Sequence, residues 1–319
     1  MAGAGQRLGQ CSGPHAKNLL AHMYYCGEVP FEAQSYETAY RLHREASTEN
    51  GDSATQRAFQ ERVGCGCRYD FKRNVAYYEE IIASGDDLAR LELAKLYTGF
   101  GQFSKAFDQY NAMTELSPEA AYNLGMLYKR GVHTDPPMPD HLHAAYYLSL
   151  AADVHPQAAL ELGLIYFMPS GNVIRKDFPR AERYFTFAAQ HGNAVAQYML
   201  GFMFEHGYVT RNIEKAISCF EKAVALGHAL SAAELATVYQ LDGPTRDFSK
   251  AYANAEFAAT HGVADGAFIL GCLQFMGRGC KADLEKARQN LEYAKAHGIY
   301  PATVMLEKLD KSVSRDENA

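Results

Sequence analysis

The residues with the clearest potential for chemistry are cysteines and histidines near the start of the chain. They are Cys11, His15, His22 and Cys26, with Cys65 and Cys67 further along. His22 and Cys26 are four residues apart and would share one face of a helix. Thiolate and imidazole ligands suit zinc. The spacing Cys-x3-His-x6-His-x3-Cys is not a common zinc pattern, so we expect ordinary thiols here and predict no metal and no cofactor.

The cysteines as a whole favour a reducing compartment. There are seven of them, an odd number, and they are not paired regularly along the chain. Cys272 and Cys280 are eight residues apart and could form a disulfide only where conditions are oxidising. The N-terminus is glycine-rich and has no continuous apolar segment of a secretory signal. We therefore predict reduced thiols and a cytoplasmic protein.

Five histidines recur at similar places in the second half of the chain. They are His155, His191, His228, His261 and His297. Because they lie a repeat apart, we expect them to hydrogen-bond carbonyls at helix ends rather than to bind one ligand. The sequence has no Gly-x-Ser-x-Gly, phosphate-loop or His-Glu-x-x-His motif. We predict no catalytic residues and a protein that is not an enzyme.

The segments that position these residues recur along the chain as a sequence repeat. Its first half reads Leu-small-x-x-aromatic, often with glycine seven residues after the leucine. The leucines are Leu124, Leu162, Leu200, Leu235 and Leu270, at steps of 38, 38, 35 and 35 residues. Self-similarity at this period indicates a solenoid.

The second half of each unit reads as another helix. Ala181, Phe185, Ala188 and Gly192 show the pattern, with offsets of four, seven and eleven from the first alanine. Offsets of four and seven mark one helical face, and the glycine marks a helix end. Aspartate just before such a segment, as at Asp177, predicts an N-cap. Each unit is therefore predicted to be two helices, and the chain to be all-α.

The repeat extends beyond its clearest part. Weaker units start near Leu20, Phe59 and Leu93, and the segment from Ala106 to Pro118 fits a second helix. We predict about eight repeats over residues 15–300, degenerate over 15–118. A flexible tail is expected over 1–14, a capping helix over 301–311 starting at Pro301, and a disordered tail over 312–319.

These patterns resemble the Sel-1-like repeat, a relative of the tetratricopeptide repeat. The likeness covers residues 119–298 well and 15–118 weakly. It implies a right-handed α-solenoid and a scaffold or adaptor that binds a partner protein or peptide. One bacterial branch, with paired cysteines in nearly every repeat, is linked to β-lactam binding. An enzyme or small-molecule binder of that kind is the alternative, although this chain lacks the paired cysteines.

The resemblance also implies which residues face the concave groove. They lie two residues before and two, five and six residues after each leucine. We predict a protein-binding groove formed by Lys129, Arg130, Phe167, Tyr198, Phe202, Glu205, His206, Gln240 and Phe275. In the last two repeats the same offsets add Ala233, Thr237, Leu241, Phe268, Cys272 and Met276. Two interpretations stay open: exposed anchors for a ligand, or core side chains packed on the next helix.

Composition argues against other partners. The formal net charge is -6 and there is no long basic run, which disfavours nucleic acid. No stretch approaches 18 uncharged apolar residues, so we expect no direct insertion into a membrane. The sequence leaves the oligomeric state undetermined.

Overall fold

A computed structural model describes residue 38, residues 41–42 and residues 71–316, apart from residues 86, 114, 116, 133–136 and 170–173. Within residues 71–316 all regular structure is α-helical. The chain divides into two compact units, Met1–Met113 and Thr114–Ala319. The predicted tail 1–14 and the repeats before residue 71 lie outside the described residues, apart from three residues.

The first unit contributes three described helices. They are α1 (Phe71–Ala83), α2 (Leu88–Gly99) and α3 (Phe103–Asn111). Helix α2 packs on both of its neighbours. This helix carries the first half of one of the weaker repeats, and its motif residues Leu93, Ala94 and Tyr97 are buried.

The second unit is a stack of antiparallel helix pairs. The first helices of its repeats, called A helices here, are α4 (Pro118–Arg130), α6 (Pro156–Phe167), α8 (Ala194–His206), α10 (Ala229–Val238) and α12 (Ala264–Met276). The second helices, called B helices, are α5 (His141–Ala151), α7 (Phe178–Gln190), α9 (Ile213–Ala225), α11 (Phe248–Thr260) and α13 (Leu284–Ala296). Helix α14 (Pro301–Asp316) ends the stack. From α4 to α14 each helix packs on the next one along the chain, which confirms the helix-pair solenoid.

The B helices bury the positions that the repeat predicts. Three positions per helix are completely buried, at offsets zero, four and seven. They are Ala144, Leu148 and Ala151; Ala181, Phe185 and Ala188; Ala216, Phe220 and Ala223; Ala251, Ala255 and Ala258; and Ala287, Leu291 and Ala294. Small residues at the outer two positions let neighbouring helices approach closely, and in every B helix except α11 a larger side chain between them fills the space.

Helix ends follow local chemistry. The Asp177 side chain accepts a hydrogen bond from the Arg180 backbone N–H, and the aspartates that precede α5, α11 and α13 cap those helices in the same way. Gly192 has a φ of 80°, the left-handed region that glycine enters without a Cβ penalty. The predicted caps and helix-end glycine are therefore confirmed.

Two predicted boundaries need correction. Helix α3 ends at Asn111, and Pro118 is not in it but starts α4, because the Ser117 hydroxyl caps that helix by accepting from the Ala120 N–H at 3.3 Å. Helix α14 starts at Pro301 as expected but continues to Asp316, past the predicted end at Lys311. No glycine or proline interrupts its last turns, and Ser312 Oγ donates to the Leu309 carbonyl at 2.7 Å.

Candidate functional site

A groove of about 800 Å³ runs between α10, α12 and α14. Eight of its lining residues lie at the groove-facing offsets of the last two repeats. These are Ala233, Thr237, Gln240, Leu241, Phe268, Cys272, Phe275 and Met276. Residues from different repeats therefore face one space, because α10 contacts α12.

The walls of the groove are mostly apolar. Leu241 and Met276 are 48% and 42% exposed, large fractions for such side chains. Phe268 and Phe275 are half-buried, since they also pack against the core around α13 and α14. The aromatic side chains are thus fixed in position while part of each faces the groove.

Charged groups occupy two sides of the groove. Glu234 lies in the second turn of α10, and Asp265 in the first turn of α12. Lys308 comes from α14, together with Met305. Gln240 also lines the groove, and its Nε2 donates to the Ala236 carbonyl at 2.8 Å. The groove is therefore an apolar channel with an acidic side and one lysine.

The structure places Phe167 in the core rather than in the groove. It is only 5% exposed, because the rings of Phe178, Phe202 and Tyr208 pack around it at centroid distances of 5.7, 6.2 and 5.1 Å. Phe202 is half-buried in the same cluster. At Phe167 the core interpretation, left open by the sequence, is the correct one.

Tyr198 and Glu205 lie beside the acidic side of the groove. The Tyr198 hydroxyl is 3.5 Å from Glu234 Oε1, and burial, together with nearby carboxylates, raises the pKa of Tyr198 to about 12. Its phenol therefore stays protonated and donates to Glu234. Burial also raises the pKa of the Glu205 carboxyl.

The remaining predicted residues lie at helix ends. Lys129 pairs with Glu161 of the next A helix, and Arg130 is exposed at the last position of α4. His206 is exposed, and its ring lies 4.1 Å from that of Phe202. None of these three lines the groove between α10, α12 and α14.

The recurring histidines have structural partners. In His191, His261 and His297, Nδ1 lies 2.9, 2.8 and 2.8 Å from the carbonyl oxygen four residues earlier, as expected for helix-end residues. His155 and His228 differ, because they precede α6 and α10 as N-caps. The His155 Nδ1 accepts from the Ala158 N–H at 3.2 Å.

The described cysteines are free thiols: Cys219, Cys272 and Cys280. Burial raises the pKa of Cys272, in the groove wall, to about 11. The described residues contain no group of three or more metal-binding side chains. The candidate cluster Cys11, His15, His22 and Cys26, with Cys65 and Cys67, lies outside them. No helix in the described part of the chain is long and apolar enough to cross a membrane.

Sequence reasoning missed Glu234 and Asp265 because it followed only the offsets implied by the resemblance. A signal was available for Glu234: it directly precedes a repeat leucine, as Glu161 does. Lys308 and Met305 had no such signal, since α14 carries no repeat motif.

Two solved structures share this fold. A Sel1 repeat protein from Oxalobacter formigenes aligns over 95% of this chain and 89% of its own, with 22% identity and a TM-score of 0.70. A protective antigen of uropathogenic Escherichia coli with an SLR fold aligns over 93% of this chain and 72% of its own, with 20% identity and a TM-score of 0.57.

Similar sequences include a putative sel1-like repeat-containing protein of Acanthamoeba polyphaga mimivirus, 32% identical over 39% of this chain. DAP3-binding cell death enhancer 1 of Rattus norvegicus is 32% identical over 22% of it. The matched parts span 22% and 14% of those relatives' lengths.

The sequence model of the Sel1 repeat matches six segments. They are residues 14–50, 118–153, 156–193, 194–228, 229–263 and 264–299. The last five coincide with the helix pairs from α4 to α13, and together the six cover more than half of the chain. The helix pairs, their spacing and these matches show that the chain belongs to the Sel1 repeat family.

Proposed function

We propose that this protein is a non-catalytic scaffold that binds a peptide or helical segment of a partner protein in the groove between α10, α12 and α14. The observation that carries the proposal is the exposed apolar wall built from the A helices of two consecutive repeats. Repeat solenoids offer extended surfaces of this kind. A cytoplasmic location is part of the same proposal.

The dimensions of the groove fit a helical ligand. Leu230 in the first turn of α10 and Leu241, three residues after its end, are both half exposed and line the groove. The ten residues of α10, at a rise of about 1.5 Å each, span about 15 Å. That is about three turns of a bound helix, which would place apolar side chains at every third or fourth position along the groove.

One relative supports protein binding. The name of the rat protein records binding to DAP3. The likeness covers 22% of this chain and 14% of that protein, so the support concerns protein binding in general and not the identity of the partner.

The test changes the exposed wall and leaves the core intact. The double variant Leu241→Glu with Met276→Glu places two carboxylates in the groove at positions that are largely solvated. A displayed library of random short peptides is selected on the wild-type protein, and the affinity of each enriched peptide is measured for both proteins by fluorescence anisotropy. We expect the variant to lose on the order of tenfold affinity or more, since interface anchors carry most of the binding energy.

Leu226→Glu is the matched control, because Leu226 is 50% exposed and follows α9 outside the groove. It should retain the affinity of wild type. Circular dichroism and thermal melting check that all three proteins fold. Peptides that bind the double variant and wild type equally would contradict the proposal.

A further inference from the structure

Two equivalent junctions between A helices differ in charge. At the first, Lys129 lies five residues after the repeat leucine of α4 and pairs with Glu161, which directly precedes the leucine of α6. The pair is partly buried, with side chains 30% and 13% exposed. This junction shows that the two offsets meet in space.

At the junction of α8 and α10 the same two offsets carry Glu205 and Glu234. Both are carboxylates, where the earlier junction has a lysine and a carboxylate. They are close enough to interact: burial raises the pKa of Glu234 and the charge of Glu205 raises it further. Neighbouring like charges destabilise each other in a partly desolvated site.

These carboxylates form no ion pair within the described part of the chain, although His206 lowers the pKa of both Glu205 and Glu234. Neither Glu205 nor Glu234 forms an ion pair with a described lysine, arginine or histidine, and the same is true of Asp265 on α12. The buried Oε2 of Glu205 has no hydrogen-bond donor among the described residues. His206 and Arg211 are the cationic groups that lower its pKa, but Arg211 Nε donates to the backbone oxygen of Glu205.

Two of the three carboxylates line the apolar groove, and Glu205 lies near enough to Glu234 to raise its pKa. Glu234 and Asp265 belong to its lining, next to Leu230 and Phe268. A ligand that fills the groove therefore meets apolar side chains along its length and negative charge on one side. Charge complementarity then requires a cation on the ligand, placed beside its apolar side chains.

We propose that the groove selects amphipathic peptide segments in which a lysine or arginine flanks apolar residues. The basic side chain pairs with Glu205, Glu234 and Asp265, and the apolar residues contact Phe268, Phe275 and Met276. The inference rests on the proposed function and adds the chemistry of the partner. Binding then supplies at this junction the cation that Lys129 supplies within the chain at the earlier one.

Glu205→Lys gives a direct test, because it recreates in the chain the arrangement of Lys129 and Glu161. The probes are the groove-dependent peptides, defined as those that bind the wild-type protein but not the double variant Leu241→Glu with Met276→Glu. We expect them to be enriched in lysine or arginine next to apolar residues. Glu205→Lys should weaken their binding on the order of tenfold or more, with no loss of thermal stability.

Glu214→Lys is the matched control, since it changes the net charge equally at an exposed position on α9. It should leave binding within a few-fold of wild type. Replacing the basic residue of a selected peptide by Gln, and then by Glu, should weaken binding to the wild-type protein stepwise. This peptide series needs no protein variant, so it tests the inference even if Glu205→Lys folds poorly.

The outcomes separate the two proposals. Groove-dependent peptides without basic residues, or with affinity unchanged by Glu205→Lys and by the peptide series, would overturn this inference and leave the proposed function standing. A selection that yields no groove-dependent peptides would overturn both.

Discussion

Four of the five repeat leucines are followed by a glycine, which is required by its packing neighbour and not by its backbone angles. A Cβ added to Gly201 would lie 2.6 Å from ring atoms of Phe220 on α9. At Gly163 the clash is with Phe185, and at Gly125 and Gly271 it is with leucines on α5 and α13. The glycine thus creates the space that the large buried side chain of the B helix fills.

Gly201→Ala should therefore destabilise the protein, although alanine favours an isolated helix by about 1 kcal/mol. Overpacking of a filled core costs about 1–3 kcal/mol, so we expect a net loss on the order of 1 kcal/mol. Urea denaturation followed by circular dichroism measures it. Gly99→Ala is the control, since a Cβ there would meet no atom within 4 Å. Equal stability of Gly201→Ala and wild type would contradict the packing argument.

The exposure of individual side chains could not be predicted from the sequence alone. Phe167 and Phe275 occupy the same offset in different repeats. Tyr208, from the loop after α8, helps to cover Phe167, whereas Phe275 lies next to α14 and keeps one side open to the groove. The difference depends on loop and end-helix side chains outside the repeat motif, so the motif predicts the offset and not the burial.

At the scale of the element, helix starts are defined by single side chains. Asp247 Oδ1 accepts from the Ser249 and Lys250 backbone N–H groups, both at 3.0 Å, and so begins α11. Such caps were predictable because aspartate, asparagine and serine pair locally with free N–H groups. The N-cap role of His155 was not predictable in this way, because its ring is held against Tyr122 of α4 at a centroid distance of 4.5 Å.

Asp247→Ala should lower the free energy of unfolding by about 1 kcal/mol, since two backbone donors lose their acceptor. Asp247→Asn should stay within a few tenths of wild type, because asparagine caps a helix about equally well. Thermal melting of the three proteins compares them. If the two variants lost the same stability, the negative charge and not the cap would be the cause.

At the scale of the molecule, the second unit is held by contacts between neighbours along the chain. Its last helix, α14, buries Ala302, Leu306 and Leu309 against Leu291 and other residues of α12 and α13. The repeat spacing predicted the stack and a helix at its end. It did not predict that α14 also forms a wall of the groove, because Met305 and Lys308 belong to no repeat.

Leu309→Ala should loosen the end of the stack and leave its beginning unchanged. Loss of a buried leucine costs about 2–5 kcal/mol, and in a linear array the effect stays with the nearest neighbours. Hydrogen exchange followed by mass spectrometry should show faster exchange in α12–α14 and unchanged exchange in α4–α7. Uniform acceleration along the second unit would show that it unfolds as one cooperative body.

The contact between Gly201 and Phe220 lies inside one repeat, as do the equivalent contacts of Gly125, Gly163 and Gly271. A complete helix pair therefore carries its own fitted contact and can be copied as a genetic unit without rebuilding that contact. Duplication of α8 and α9 would lengthen the array upstream and leave the groove unchanged. An extra pair inserted between α10 and α12 would divide it. Changes in repeat number can thus alter the length of such proteins while preserving binding, provided that the insertion falls outside the segment from α10 to α14.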